Sequence, residues 1–181
     1  MSVKSATAFG LSSGLEPGLV LLNTTNFNAV ANQAVNSFSA TYDAYKIVLT
    51  LTAASADNSM IFRIRNGSTD LSGADYYNGG FQNRTDSATV SDFRGNAGTS
   101  FPLNAISSVQ AARFFVVFDI VNPFATTATK VSYQGFNGNS SGFFAFVSTG
   151  IVANSNSYDG FNIIPGSGTI TGKVVTYGYN L

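Results

Sequence analysis

The side chains able to carry acid–base chemistry in this 181-residue chain are nine carboxylates: Glu16, Asp43, Asp57, Asp70, Asp75, Asp86, Asp92, Asp119 and Asp159. There is no histidine and no cysteine. That inventory removes serine–histidine and cysteine–histidine nucleophile systems, and zinc sites built from imidazole or thiolate. What it leaves is a pair of carboxylates flanking a scissile bond, as glycoside hydrolysis uses. Most of these acids stand beside Gly, Asn or Ser in expected turns, where an aspartate caps its own backbone two residues on. Asp119 differs because it interrupts an apolar run from Phe114 to Val121. Buried there it needs a partner, and Arg63, Arg65 and Arg113 are the candidates. The reading is a structural ion pair, and no catalytic residue is assigned.

Other binding chemistry is sparse. The helix-flanked calcium loop pattern is absent, no phosphate-binding or dinucleotide fingerprint follows a strand, and Gly166-Ser167-Gly168 reads as a turn. No metal or cofactor is expected. The stretch Tyr76-Tyr77-Asn78-Gly79-Gly80-Phe81-Gln82-Asn83 combines flat aromatics for stacking on sugars with amides for their hydroxyls. Tyr76, Tyr77, Asn78 and Phe81 therefore form a candidate contact loop. The plainer alternative is a loop that its tyrosines anchor over the edge of the fold.

The elements that must position these groups are strands. In Tyr45–Thr52, Tyr45, Ile47, Leu49 and Leu51 fall on one side of a period-two pleat, with Lys46, Thr50 and Thr52 on the other. In Met60–Arg65, Met60, Phe62 and Ile64 oppose Ile61, Arg63 and Arg65. A small, polar connection over 53–59 makes the two runs a candidate antiparallel hairpin. Arg113–Val121 is apolar on both pleat faces apart from Asp119, which predicts a strand buried on both sides, stopped by Asn122-Pro123. Runs at Leu19–Leu22, Lys130–Phe136, Phe143–Val152, Tyr158–Ile164 and Thr169–Tyr179 are strands separated by turn-forming residues. The stretch from Gly67 to Pro102 reads as short strands in long loops. Ile106–Arg113 offers at most a turn or two of helix. Some eight to ten strands result, an all-β fold of two packed antiparallel sheets in a jelly-roll type of sandwich. Residues 1–18 form an extended N-terminal arm and 19–181 the sandwich domain.

Composition bounds the partners. Charged residues make up 10% of the chain, against about a quarter in an ordinary soluble domain, and phenylalanine is abundant at 16 residues. Nine basic and nine acidic residues cancel, which removes the attraction on which non-specific nucleic-acid binding depends. No membrane partner is expected either, because no apolar run approaches the length of a bilayer span. The N-terminus lacks the apolar core of a secretory signal, so export would follow another route such as lysis. A nearly neutral, Phe-rich chain predicts either a large aromatic core in a monomer or a surface that partners cover.

Several landmarks together resemble small β-sandwich virion proteins of tailed bacteriophages. They are Leu19-Val20-Leu21-Leu22, the spacing of Phe38, Tyr42, Tyr45 and Ile47, Arg63 with Arg65, Ile170 with Gly172, and Tyr177-Gly178. In that group similar domains occur as capsid-decorating cement proteins and as distal domains of tail fibres, commonly as homotrimers. The short stretch before the first strand resembles the arm of a cement protein more than the shaft of a fibre. The resemblance implies a non-enzymatic virion protein on the outer surface of the head, whose partners are its own copies and the major capsid protein. Val3, Phe9, Leu11 and Leu15 are then the arm's capsid contacts. The alternative it implies is a tail-fibre or receptor-binding module that recognises host-surface glycan through the loops of 67–102.

Overall fold

The computed structural model describes residues 18–139 and 142–180. The strands are β1 (Gly18–Val30), β2 (Gln33–Asn36), β3 (Ala44–Ala54), β4 (Asn58–Asn66), β5 (Thr69–Asp70), β6 (Tyr76–Arg84), β7 (Val90–Asp92), β8 (Gly95–Gly98), β9 (Phe101–Ile106), β10 (Phe115–Val121), β11 (Thr129–Asn139), β12 (Gly142–Val152), β13 (Gly160–Pro165) and β14 (Ile170–Asn180). One 3-10 turn, Ala111–Arg113, is the only helical element among the described residues. The count of fourteen exceeds the expected eight to ten because 67–102 is largely strand and loop-rich only in part. The proposed arm residues Val3, Phe9, Leu11 and Leu15 lie outside the described residues. Gly18, assigned to the arm from sequence, already pairs with Asn180 as the first residue of β1.

Two antiparallel sheets pack face to face, as expected of a β-sandwich. The larger has nine strands in the order β1-β14-β3-β10-β11-β12-β6-β7, with β8 also on β6. The smaller has five, β2-β13-β4-β5, with β9 also on β4.

The pleat faces read from β3 and β4 hold, but the hairpin does not. Tyr45, Ile47, Leu49, Leu51, Met60, Phe62 and Ile64 are all buried. Yet β3 pairs with β14 and β10 in the larger sheet, while β4 pairs with β13, β5 and β9 in the smaller. The link between Ala54 and Asn58 crosses from one layer to the other. A hairpin would set the two apolar faces side by side on one sheet. The crossing sets them opposite each other, so each covers the other across the roughly 10 Å between packed sheets.

The core between the layers is a run of touching aromatic rings. Phe62 of the smaller sheet stacks on Phe118 of the larger at 4.6 Å between centroids and on its neighbour Phe161 at 5.3 Å. From Phe118 the contacts continue to Tyr133 at 5.6 Å and then to Phe101 and Tyr76. Offset and edge-on ring contacts of this kind add to the stabilisation that comes from area alone. The core therefore absorbs much of the chain's phenylalanine.

Tyr76 ties the layers together. It leaves β6 in the larger sheet, accepts a hydrogen bond from the Ile64 backbone N–H at 3.1 Å and donates to the Leu71 carbonyl at 3.0 Å. Leu71 N–H in turn reaches the Ile64 carbonyl at 2.9 Å. The phenol thus continues the hydrogen bonding of β4 where β5 ends. Burial pushes its pKa far above the usual tyrosine value, so it stays a donor. Tyr76→Phe keeps the ring and removes the oxygen, leaving a buried N–H and a carbonyl short of partners. Urea denaturation is expected to show a loss of about 1–3 kcal/mol.

The strand expected to be buried on both sides, β10, is buried on one. Val116, Phe118 and Ile120 point into the core at 0% exposure, while Phe115 and Val121 on the opposite face are 44% and 38% exposed. Among the described residues no element packs over that face of the larger sheet. Asn122, in the left-handed region with φ 58°, then turns the chain out of the sheet before Pro123.

Candidate functional site

The outward face of the larger sheet is where apolar side chains meet solvent. The registers align residues into rows across the strands. One row runs Thr24, Val175, Val48, Val117, Gln134, Val147 and Phe81, an almost wholly apolar stripe from β1 to β6. A second brings Thr50, Phe115, Phe136 and Ala145 together. Leu19, Leu21, Phe81, Phe115, Val121, Ile151 and Tyr77 on this face are 38–59% exposed. Period-two alternation produces this face directly: β10 is apolar at both parities apart from Asp119, only one parity is needed to line the core, and β3 and β11 add Val48 and Phe136 among polar side chains on the outer parity.

The polar centre of the face is a trio. Lys46 and Asp119 are directly opposite in the β3–β10 register, and Lys46 Nζ lies 3.2 Å from Asp119 Oδ1. Tyr179 donates its phenolic hydrogen to the same oxygen at 2.5 Å. Asp119 thus finds its cation beside it on the sheet, and its side chain is 45% exposed rather than buried. The three arginines expected to serve it are elsewhere. Arg63 donates to the Thr99 carbonyl, Arg65 pairs with Asp70 and Arg113 lies over the Phe143 ring. The local signal for Lys46 was its place on the polar parity of β3, but the register that brings it to Asp119 is not local.

Burial works against the Lys46 charge, and the Asp119 carboxylate more than offsets it, so the ammonium's pKa lies above its usual value. The hydrogen bond to Asp119, together with partial burial, also raises the Tyr179 phenol. Both groups are held in their protonated forms. Their contribution to stability is complete below the unfolded-state values near pH 10 and is lost as pH rises through the raised folded values. Tyr179→Phe should cost about 1 kcal/mol at neutral pH, given the solvent exposure of the trio. Thermal melts from pH 8 to 11 should fall less steeply for this variant than for the parent.

Two shallow depressions indent the face. One, of about 400 Å³, lies among Asp119, Val121, Lys130, Ser132, Thr149 and Ile151. The other, of about 380 Å³, lies among Phe115, Gln134, Phe136 and Ala145. Both form where small side chains on β11 and β12 sit between larger ones.

The proposed contact loop is not a loop. Tyr76, Tyr77, Asn78 and Phe81 lie on β6, a strand hydrogen-bonded to β12 on one side and to β7 and β8 on the other. Alternation divides them. Tyr76 and Asn78 face the core, where the Asn78 amide donates to the Phe93 carbonyl and the Ser148 hydroxyl. Tyr77 and Phe81 face outward and belong to the open face. Of the two glycines that suggest a loop, Gly80 is needed instead for close approach: a Cβ there would stand 2.1 Å from the Val147 carbonyl oxygen, whereas one at Gly79 would meet nothing within 4 Å.

Several of the described carboxylates are engaged in structure. Asp57 accepts from the Ser108 backbone N–H and hydroxyl, which holds its pKa below the usual range. The Arg84 guanidinium does the same for Asp86 at 2.9 Å. A general acid needs the opposite shift. Asp70 pairs with Arg65 at 3.5 Å and accepts from the Asn162 amide at 2.8 Å, a partly buried cluster on the smaller sheet. Beside it is a cleft of about 470 Å³ lined by Asn66, Thr69, Asp70, Ser72, Asn156, Ser157 and Tyr158. Among the described residues no three acidic side chains gather as metal ligands.

Fold and surface together define an antiparallel β-sandwich in which, among the described residues, one sheet face is uncovered and carries exposed apolar side chains around a polar trio. No known protein family, curated protein or solved structure matches the chain.

Proposed function

We propose that this protein is a non-enzymatic structural component of a virion, a decoration protein that binds the assembled head of a tailed bacteriophage and stabilises it. The observation that carries the structural role is the open face of the larger sheet, with Leu21, Phe81 and Phe115 each more than 40% exposed. Apolar area of this kind is what subunit contacts bury. The virion setting rests on the resemblance carried by Leu19–Leu22, Arg63, Arg65 and Tyr177-Gly178. Preferential binding to the assembled shell shifts the assembly equilibrium by mass action.

The arm residues Val3, Phe9, Leu11 and Leu15 extend the same contact in this reading. Low-resolution imaging of particles with and without the protein tests it: density should disappear from the head surface. Removing residues 2–17 should abolish attachment while leaving the circular dichroism of the sandwich unchanged. Full occupancy by the shortened chain would refute the arm's part.

A second reading, a receptor-binding tail module, is favoured by the cleft beside Asp70, whose amides and hydroxyls suit a sugar. A glycan array separates the two. Specific binding lost in Asp70→Asn supports the tail module, and an array without signal supports decoration.

A further inference from the structure

We propose that two copies of the chain pair antiparallel through the free edges of their β1 strands, over Asn23–Phe27, and join two larger sheets into one. The inference does not depend on the virion reading.

The argument comes from comparing the sheet edges. An unpaired strand presents a row of N–H and C=O groups to any partner strand, and proteins ordinarily blunt such edges by shortness, charge or proline. Three of the four edges here are blunted. At the far end of the larger sheet β7 has three residues, and Asp92 there pairs with Arg94 at 3.4 Å. In the smaller sheet β2 has four residues. On its opposite side β5 has two, and β9 carries Pro102. By contrast β1 runs for 13 residues, GLVLLNTTNFNAV, with neither charge nor proline, and its two bulges lie on either side of Asn23–Phe27, leaving that segment regular. Among the described residues nothing pairs with its free side.

Charge selects the occupant. A strand bearing Lys, Asp or Glu would bring charged side chains against an edge that offers none to pair with them. A second β1 brings none, and antiparallel pairing of a strand with its own copy is self-complementary about a two-fold axis. The irregularities between Leu21 and Asn23 and between Phe27 and Val30 bound one straight segment, Asn23–Phe27. With the axis at Thr25, Thr24 stands opposite Asn26 of the second copy, matching hydroxyl with amide on the outward face. The two apolar faces then become continuous.

Sedimentation equilibrium with cysteine substitution tests this, since the chain has no cysteine of its own. The full chain is expected to be a dimer. Thr25→Cys is expected to cross-link to a covalent dimer on mild oxidation, because directly opposed Cα atoms of an antiparallel pair lie within disulfide range. Val117→Cys, at the centre of the open face, is expected not to. Thr24→Lys with Asn26→Lys is expected to weaken self-association at least tenfold, with an unchanged melting temperature for the monomer. A monomeric or trimeric parent chain would overturn the proposal, as would a lysine variant that dimerises like the parent. Hydrogen exchange gives an independent reading: protection of β1 amides should fall on dilution. Protection that is independent of concentration would mean that residues 1–17 of the same chain cover the edge, and would also overturn it.

Discussion

Phe62→Ala is expected to destabilise the sandwich by about 3–5 kcal/mol. Phe62 is completely buried and stands where the layers meet, stacked on Phe118 from the opposite sheet and on Phe161 from the adjacent strand. Truncation removes the apolar area of a whole ring and leaves a cavity bounded by strands that cannot close in, because each is fixed by its own ladder. Since a domain's net stability is about 5–15 kcal/mol, a large part of it rests on this residue. Chemical denaturation gives the comparison. Phe115→Ala on the open face is expected to shift stability by no more than about 0.5 kcal/mol. A loss under 1 kcal/mol at Phe62 would mean that the two layers are not packed through these rings.

The second large effect concerns binding. Phe81→Ser with Phe115→Ser removes two of the most exposed rings of the open face, at 55% and 44%. Neither contributes much to the core, so the fold should melt within a few degrees of the parent. If the face is the contact surface, two aromatic anchors worth about 1.5–2 kcal/mol each are lost, which lowers affinity for the assembled particle about a hundredfold or more. Particle-bound protein, measured by co-sedimentation over a concentration series, is the readout. Undiminished occupancy by this variant would remove the face from the contact and leave attachment to other surfaces.

These substitutions fall on opposite faces of their strands, and only part of that was legible in the sequence, which put Phe62 on the core parity of β4 but expected β10 to be buried on both sides and Phe81 to lie in a loop. Alternation identified which residues of β3 and β4 share a face, and Tyr45, Ile47, Leu49, Phe62 and Ile64 are all buried accordingly. The all-β class, the stop at Asn122-Pro123 and the weakness of any helix near Ala111 followed from local steric and hydrogen-bonding preferences, which act within a few residues. For the site, the sequence supplied the ingredients: a neutral, Phe-rich chain with many apolar positions, and Tyr77 and Phe81 as candidates, both of which are exposed on the outward face. Their setting was misread because Gly79 and Gly80 signal a loop when taken alone. In β6 Gly80 makes room for β12, and that requirement is visible only once the neighbouring strand is in place.

What the amino-acid order determined by itself is the parity of each strand, because a pleat turns successive side chains to opposite sides whatever the strand pairs with. Tertiary structure alone decided which sheet each strand joins. A short polar link such as 55–57 serves equally to turn a hairpin or to cross between layers, and β1 finds β14 from the other end of the chain. It also decided that Lys46 rather than an arginine meets Asp119, and that no described element covers the outer parity of β10. Parity is fixed by covalent geometry within two residues, whereas pairing and burial depend on contacts between residues far apart in sequence, which no local pattern encodes.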